Sequence, residues 1–180
     1  MLGLIKANLH YLRQAADLVD ALEDGSYIRQ EPMFYNSTVG GHLRHCLDHY
    51  ESFTAGIDAG KIDYDARCRD RQVEHKTCAA RKRIDRMSAT LEQLEDTHLH
   101  TQVQVKVDCG CTDQGADLQE KELWQKSTIG RELQFLISHT VHHFAMIRGI
   151  CQTGGHELAA DFGYAPSTLR HRENHSIPIA

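Results

Sequence analysis

Two segments of this chain combine a helical apolar repeat with a cluster of histidines. The segments are GGHLRHCLDHY at residues 40–50 and SHTVHHFAMI at residues 138–147. The clusters comprise His42, His45 and His49 in the first segment and His139, His142 and His143 in the second. Burying an imidazole costs free energy unless the ring is hydrogen-bonded or bound to a ligand. The fold must therefore give these side chains partners.

The spacing within each cluster predicts which histidines share a helix face. His139 and His143 are four positions apart, so they lie one turn apart on one face. His42, His45 and His49 are three and four positions apart and likewise share a face. His142 lies about 100° around the helix from His143 and is predicted to face elsewhere. Two such pairs on facing helices can bind one metal ion. The alternative is a set of hydrogen-bonded core histidines without a metal.

The number of ligands separates two kinds of metal site. Three protein ligands and an open position are typical of a catalytic metal, whereas four protein ligands are typical of a structural one. The choice depends on whether the first cluster contributes His45 alone or His45 with His49. His49 is therefore interpreted either as a fourth ligand or as an acid–base group beside the metal.

The remaining hydrophobic pattern predicts an all-α fold, a four-helix bundle in one domain covering residues 1–180. Apolar residues at helical spacing predict helices over residues 2–24, 38–57, 70–96 and 128–152, with hydroxyl residues before the second and fourth as N-caps. Residues 56–68 lack a period and are predicted to form a connection. The alternating pattern of residues 101–111 predicts a strand that pairs with residues 118–127 as a small β-hairpin insert. An irregular tail is expected over residues 156–180.

Composition excludes several classes of function. The 180 residues carry a net charge of −5, which disfavours a nucleic-acid binder. No segment is long and apolar enough for a membrane span, and the N-terminus lacks a signal-peptide pattern. With six cysteines and no signal, the chain is expected to be cytoplasmic with reduced thiols. The sequence contains no glycine-rich phosphate-binding loop, so a nucleotide cofactor is not expected.

Two pairs of cysteines are interpreted differently. Cys46 and Cys151 lie in helical patterns and are predicted to be small core residues. Cys109 and Cys111 flank a glycine, and this pattern favours a turn over a reactive or metal-binding thiol pair, because two thiols do not complete a zinc site.

The two histidine segments, in this order, resemble motifs of the DinB-like (DinB/YfiT) superfamily. The first motif is a hydroxyl residue followed by a histidine and an acidic residue, here Thr38, His45 and Asp48. The second is H-x-x-x-H followed by an aliphatic stretch, here His139 and His143 before FAMI. The resemblance covers the second and fourth predicted helices, while the first and third match in length and order alone.

The resemblance implies a four-helix bundle with a long crossover between the second and third helices. It implies a three-histidine metal site at His45, His139 and His143, occupied by zinc or nickel, with iron in some relatives. It also implies a metal-dependent hydrolase or a transferase that uses a low-molecular-weight thiol such as bacillithiol or mycothiol, and a homodimer. The extra histidines His42, His49 and His142 depart from the family pattern.

Three functions are compatible with these patterns. The first is a metal-dependent enzyme acting on a small-molecule substrate, in which His49 is the candidate proton shuttle. The second is a non-catalytic metal-binding or stress-response protein, favoured by a filled four-histidine site, or a sensor that uses Cys109 and Cys111. The third is a metal-free interaction module. The absence of a glutamate from SHTVHH argues against an H-E-x-x-H protease.

Overall fold

The fold is predominantly helical, as predicted. The structure, a computed structural model, describes residues 3–106 and 124–175. Its helices are α1 (Gly3–Ala21), α2 (Asp24–Tyr27), α3 (Val39–Gly56), α4 (Arg71–His75), α5 (Thr77–Glu92), α6 (Ile129–Thr153) and α7 (Pro166–Asn174). Its strands are β1 (Lys61–Asp63), β2 (Gln102–Lys106) and β3 (Trp124–Thr128), and 3-10 turns lie at Pro32–Phe34 and Asp96–His100.

Four long helices form the core. Helix α1 packs against α5 and α6, and α3 packs against the same two helices. The side chain of Asn8, on α1, is fully buried where α1, α3 and α6 meet. Its amide donates to the Leu133 carbonyl of α6 (3.1 Å), and its oxygen accepts from the Tyr50 hydroxyl of α3 (2.8 Å). Cys46 and Cys151 are buried core residues, which confirms their predicted role.

Hydroxyl caps set the starts of α3 and α6, as predicted. The Thr38 side chain accepts a hydrogen bond from the Gly41 backbone N–H (2.8 Å), and Thr128 accepts one from Arg131 (3.2 Å). Each cap satisfies a backbone donor that has no partner within its helix. The observed bounds of α3 and α6 lie within a residue or two of the predicted ones, so the histidines fall where the spacing places them.

The predicted third helix, residues 70–96, is interrupted. Lys76 is extended and separates α4 from α5, and the last turn ends at Glu92. The carboxylate of Asp24 accepts hydrogen bonds from the backbone N–H (2.9 Å) and hydroxyl (3.1 Å) of Thr77. This tertiary contact caps α5 from outside, and a helical repeat does not encode it.

A three-stranded sheet replaces the simple predicted hairpin. Strands β2 and β3 are antiparallel, with Val103 opposite Ser127. Strand β1 lies on the other side of β2 and is parallel to it, with Ile62 opposite Val105. The expectation that residues 56–68 are only a connection is therefore wrong. The sequence pattern does not indicate β1 because a strand of three residues is too short to show an alternating period. Cys109 and Cys111, and residues 118–123 of the predicted hairpin, lie outside the described residues.

The tail is also more regular than predicted. Pro166–Asn174 form α7, which begins with a proline in its first turn and has no buried residue. Its sequence therefore lacks the apolar stripe by which a helix is recognised. In the described part of the chain, no helix is long and apolar enough to cross a membrane.

The close approach of α3 to the carbonyl of Glu74 predicts a large effect of Gly40→Ala. A Cβ at Gly40 would meet the Glu74 carbonyl oxygen and the ring of Tyr27. We expect a loss of about 1–3 kcal/mol in the free energy of unfolding, because the backbone must move. Gly25→Ala is the control, since its Cβ meets open space. Equal unfolding midpoints in urea for the two variants would contradict this packing.

Candidate metal centre

Histidines from α3 and α6 meet where the two helices pack together. His45, His49 and His139 each offer one ring nitrogen, and these nitrogens lie within 4.8 Å of one another. The ring centroids are 4.6 Å apart for His45 and His49, 4.0 Å for His49 and His139, and 4.9 Å for His45 and His139. His49 is buried and the other two are half-buried. This group could hold a metal ion.

The hydrogen bond of His49 determines its tautomer. Its Nδ1 lies 2.9 Å from the carbonyl oxygen of His45. A carbonyl only accepts, so Nδ1 carries the proton, and Nε2 of the neutral ring presents a lone pair. Metal-binding histidines typically donate their second ring N–H to a carbonyl or carboxylate in this way. His49 therefore has the tautomer of a metal ligand, and the same free Nε2 lone pair would serve a proton shuttle, so both interpretations of His49 stay predictions.

His139 presents a buried nitrogen without a partner. Among the described residues, no group forms a hydrogen bond with its Nε2, which is inaccessible to solvent. A buried polar atom without a hydrogen bond is costly, and an ion or water is the usual explanation. The residues present therefore fit a metal ion, through the tautomer of His49 and the unsatisfied nitrogen of His139.

Burial keeps the histidines neutral. It lowers the pKa of His45 to about 2, with smaller contributions from neighbouring imidazoles and from the Arg67 guanidinium. It lowers the pKa of His139 to about 3 and that of His143 to about 4. The pKa of His49 is also lowered by burial, although its hydrogen bond to the His45 carbonyl opposes the shift. Neutral imidazoles are the form that binds metals.

His143 lies beside this group. Its ring centroid is 4.6 Å from those of both His45 and His139. Its Nδ1 lies 2.9 Å from Nδ1 of His42, so one of these rings donates and the other accepts. If His143 donates, its Nε2 keeps a lone pair for a metal. The role of His143 as a ligand, with His45 and His139, stays a prediction.

His142 and Asp48 lie outside the group of imidazole nitrogens. His142 is exposed, as predicted from its position on the helix. Asp48 neither faces solvent nor contacts an imidazole at hydrogen-bond distance among the described residues. Its fully buried carboxylate accepts from Arg44 (2.7 Å) and from Arg83 (3.2 Å). Arg83 also binds Asp70, at 3.0 Å.

Three residues near the histidines are not among those predicted from the sequence, although Phe135, four positions before His139, lies on the same face of α6. Tyr64 stacks on His49, with ring centroids 5.4 Å apart, and its hydroxyl donates to the buried carboxylate of Glu132 (2.9 Å). The ring of Phe135 stacks on His139 at 5.7 Å. Arg67, in the loop after β1, donates from Nη1 to Nδ1 of His45 (2.8 Å). Tyr64 and Arg67 come from a segment without periodicity, so spacing does not reveal them.

Metal affinity can show whether His49 or His143 is the third ligand beside His45 and His139. We expect His49→Ala to weaken zinc binding at least about tenfold, because it removes a nitrogen whose tautomer suits a ligand. His142→Ala is the matched control and should keep the wild-type affinity, since its ring is exposed. Competition with a chromophoric chelator measures both, with His143→Ala alongside. Full affinity in His49→Ala, together with loss in His143→Ala, would favour His143 as the third ligand.

The lowered pKa values predict acid sensitivity of the metal-free protein. An unfolded histidine gains a proton as the pH falls below 6.5, whereas His45 in the folded protein stays neutral until its pKa of about 2. The unfolded state then binds more protons, so the free energy of unfolding decreases as the pH falls through this range. Urea unfolding between about pH 7 and about pH 5 checks this. His45→Gln should reduce the pH dependence of the free energy of unfolding. His142→Gln, which changes an exposed ring, is the control. The same pH dependence in both variants would contradict a lowered pKa of His45.

Comparison with known proteins shows a partial similarity to a curated protein. No protein family matches the sequence, and no solved structure is similar to it. FK506-binding protein 5 of Rhizopus delemar is 32% identical to the chain over 110 residues. That region is 61% of this chain and 27% of the relative. The chain therefore spans just over a quarter of the length of the curated relative that it matches.

Proposed function

We propose that this chain is a DinB-like metal-binding protein whose four long helices form the superfamily's four-helix bundle. The observation that carries the proposal is the convergence of His45, His49 and His139, neutral and largely withdrawn from water, at the contact between α3 and α6. The motif residues Thr38, which caps α3, and His139 support the resemblance. A shared metal ion would satisfy the buried Nε2 of His139, which has no hydrogen-bond partner among the described residues.

We further propose zinc or nickel as the ion, with iron as the next candidate. The donor set consists of imidazole nitrogens, which suit zinc, nickel and iron better than magnesium or calcium. Among the described residues, no carboxylate joins the group of nitrogens. The nearby acid Asp48 is held by arginines, so the donor set remains one of nitrogens.

The activity that we propose is that of a metal-dependent hydrolase or of a transferase using a low-molecular-weight thiol. A bound divalent ion supplies Lewis acidity at such a site. Tyr64 and Phe135 stack on imidazoles and exclude water from that side of the cluster. The substrate is a small molecule, and we expect a cytoplasmic homodimer.

The second candidate is a structural metal without catalysis. The position of His143 favours it, because its ring lies as close to His45 as that of His49 does, at 4.6 Å. Four imidazole ligands would close the coordination sphere and leave no position for a substrate. The ion would then tie α3 to α6, and its removal would lower the melting temperature strongly.

Elemental analysis of protein purified without a histidine tag tests the proposal. We expect about one equivalent of a divalent transition metal in the wild type. The double variant His45→Ala/His139→Ala should lose it, because those two residues are ligands whether the third is His49 or His143. His142→Ala is the matched control.

The outcomes separate the candidates. Metal retained by the wild type and by His142→Ala, but lost in the double variant, supports the site and justifies assays for hydrolysis and thiol transfer. A wild type that is metal-free and refuses added zinc and nickel would overturn the proposed function. Retention without activity in either assay, combined with loss of metal in both His49→Ala and His143→Ala, favours the structural metal.

A further inference from the structure

Arg67 has surroundings that differ from those of other arginines in the fold. Its Nη1 lies 2.8 Å from Nδ1 of His45, and its Nε is buried without a hydrogen-bond partner among the residues that the structure describes. No carboxylate of the described chain forms an ion pair with it. Within residues 3–106 and 124–175, the arginines that form ion pairs with carboxylates include Arg44, Arg81, Arg83, Arg86 and Arg131.

The unsatisfied edge of Arg67 has the geometry of an oxyanion site. The N–H of Nε and one N–H of Nη2 point in the same direction, and together they match two oxygens of a carboxylate or phosphate. Nη1, on the other side, is the group that contacts His45. The edge without a partner is therefore the one that binds anions in a bidentate manner.

The loop holds this guanidinium at the cluster. The carboxylate of Asp63 accepts from the backbone N–H groups of Asp65 (2.9 Å) and Ala66 (3.2 Å), and the N–H of Arg67 donates to the Asp65 carbonyl (2.8 Å). Asp65 is the nearest acid in sequence. Its Oδ2 is buried without a hydrogen-bond partner in the described part of the chain, so it does not satisfy Arg67.

A metal ion and Arg67 cannot both use the lone pair of His45. A guanidinium only donates, so the observed contact requires an unprotonated Nδ1 and places the proton of the neutral ring on Nε2. A metal bound at Nδ1 would take the same lone pair. A metal bound at Nε2 would move the proton to Nδ1, opposite the N–H of Arg67. In either case, metal binding breaks the hydrogen bond between Arg67 and His45.

We propose that Arg67 is the anion-binding residue of this site, released from His45 by the metal, and that the ligand therefore carries a carboxylate or phosphate group. This inference rests on the proposed metal site. The released guanidinium and the ion are two positive centres side by side, and an oxyanion satisfies the Nε edge while balancing their charge. By linkage, metal raises the affinity for the anion, and the anion raises the affinity for the metal by the same factor.

Titration with small anions tests this inference. The protein, metal-free and zinc-loaded, is titrated with acetate or methylphosphonate and followed by NMR of the imidazole C–H groups. Acetamide is the uncharged control. The variants are Arg67→Ala and Arg67→Lys. Arg71→Ala removes the same charge from an exposed position nearby and serves as the matched control.

We expect zinc-loaded wild type to bind at least one of the two anions and not acetamide. Arg67→Ala should weaken anion binding about tenfold or more, the range for a lost charged hydrogen bond. Arg67→Lys should restore part of it, and Arg71→Ala should match the wild type. Preference for acetate or for methylphosphonate identifies the group as a carboxylate or a phosphate. The metal-free wild type should bind the anion more weakly than the zinc-loaded form.

Equal anion affinity in wild type and Arg67→Ala, with zinc bound in both, would overturn the inference and leave the metal site intact. No anion binding by the zinc-loaded wild type, as expected if Asp65 turns to occupy the edge, would also overturn it. If the protein refuses zinc, the proposed function fails by itself. The metal-free titration then decides: anion binding that depends on Arg67 supports the anion site, and its absence removes it.

Discussion

The hydrogen bonds of Asn8 fix how α3 lies against α6, and the histidine site depends on that alignment. A fully buried amide with one partner on each helix is satisfied in one relative position of the two helices, and sliding either helix would leave a buried polar group without a partner. Tyr50, the partner on α3, directly follows His49. The contact that aligns the helices therefore also aligns the imidazoles.

Ion pairs around the site control which donors remain. Asp48 lies between two histidines in the sequence, yet Arg44 and Arg83 bind its carboxylate, and Glu132 accepts from the Tyr64 hydroxyl. Both acids are buried and satisfied. An acid committed to an arginine is a poor candidate for a metal ligand, because moving it would leave an uncompensated buried charge. Asp48 and Glu132 are therefore not among the donors of the cluster.

The sequence pattern predicts the helices that carry the histidines, and it predicts less of what surrounds them. Helices α3 and α6 each have an N-cap and an apolar repeat that extends over many residues, so the residues on each face follow from spacing alone. His142 is exposed for the same reason. The break at Lys76 depends on the Asp24 carboxylate, a contact across more than fifty positions. Strand β1 is too short to show an alternating pattern, and it is defined by its hydrogen bonds to β2.

Spacing alone cannot show which of the histidines are metal ligands. His49 and His143 each sit four positions from another candidate ligand, so the pattern treats them alike. Their hydrogen bonds distinguish them: His49 donates to a carbonyl, whereas His143 faces a second imidazole, whose proton can lie on either ring. The role of Arg67 cannot be predicted from spacing, because an arginine in a loop without periodicity looks like any surface arginine in the sequence.

The loop that carries Arg67 is fastened at both of its ends. At one end the Tyr64 backbone N–H donates to the Lys106 carbonyl of β2 (3.0 Å), and its hydroxyl binds Glu132. At the other end the Asp70 carboxylate binds Arg83. A segment held in this way does not swing open as a lid. The proposed exchange of the guanidinium between an imidazole and an anion would then require rotation of the Arg67 side chain and no opening of the backbone. An anion would then meet a site whose backbone is already in place.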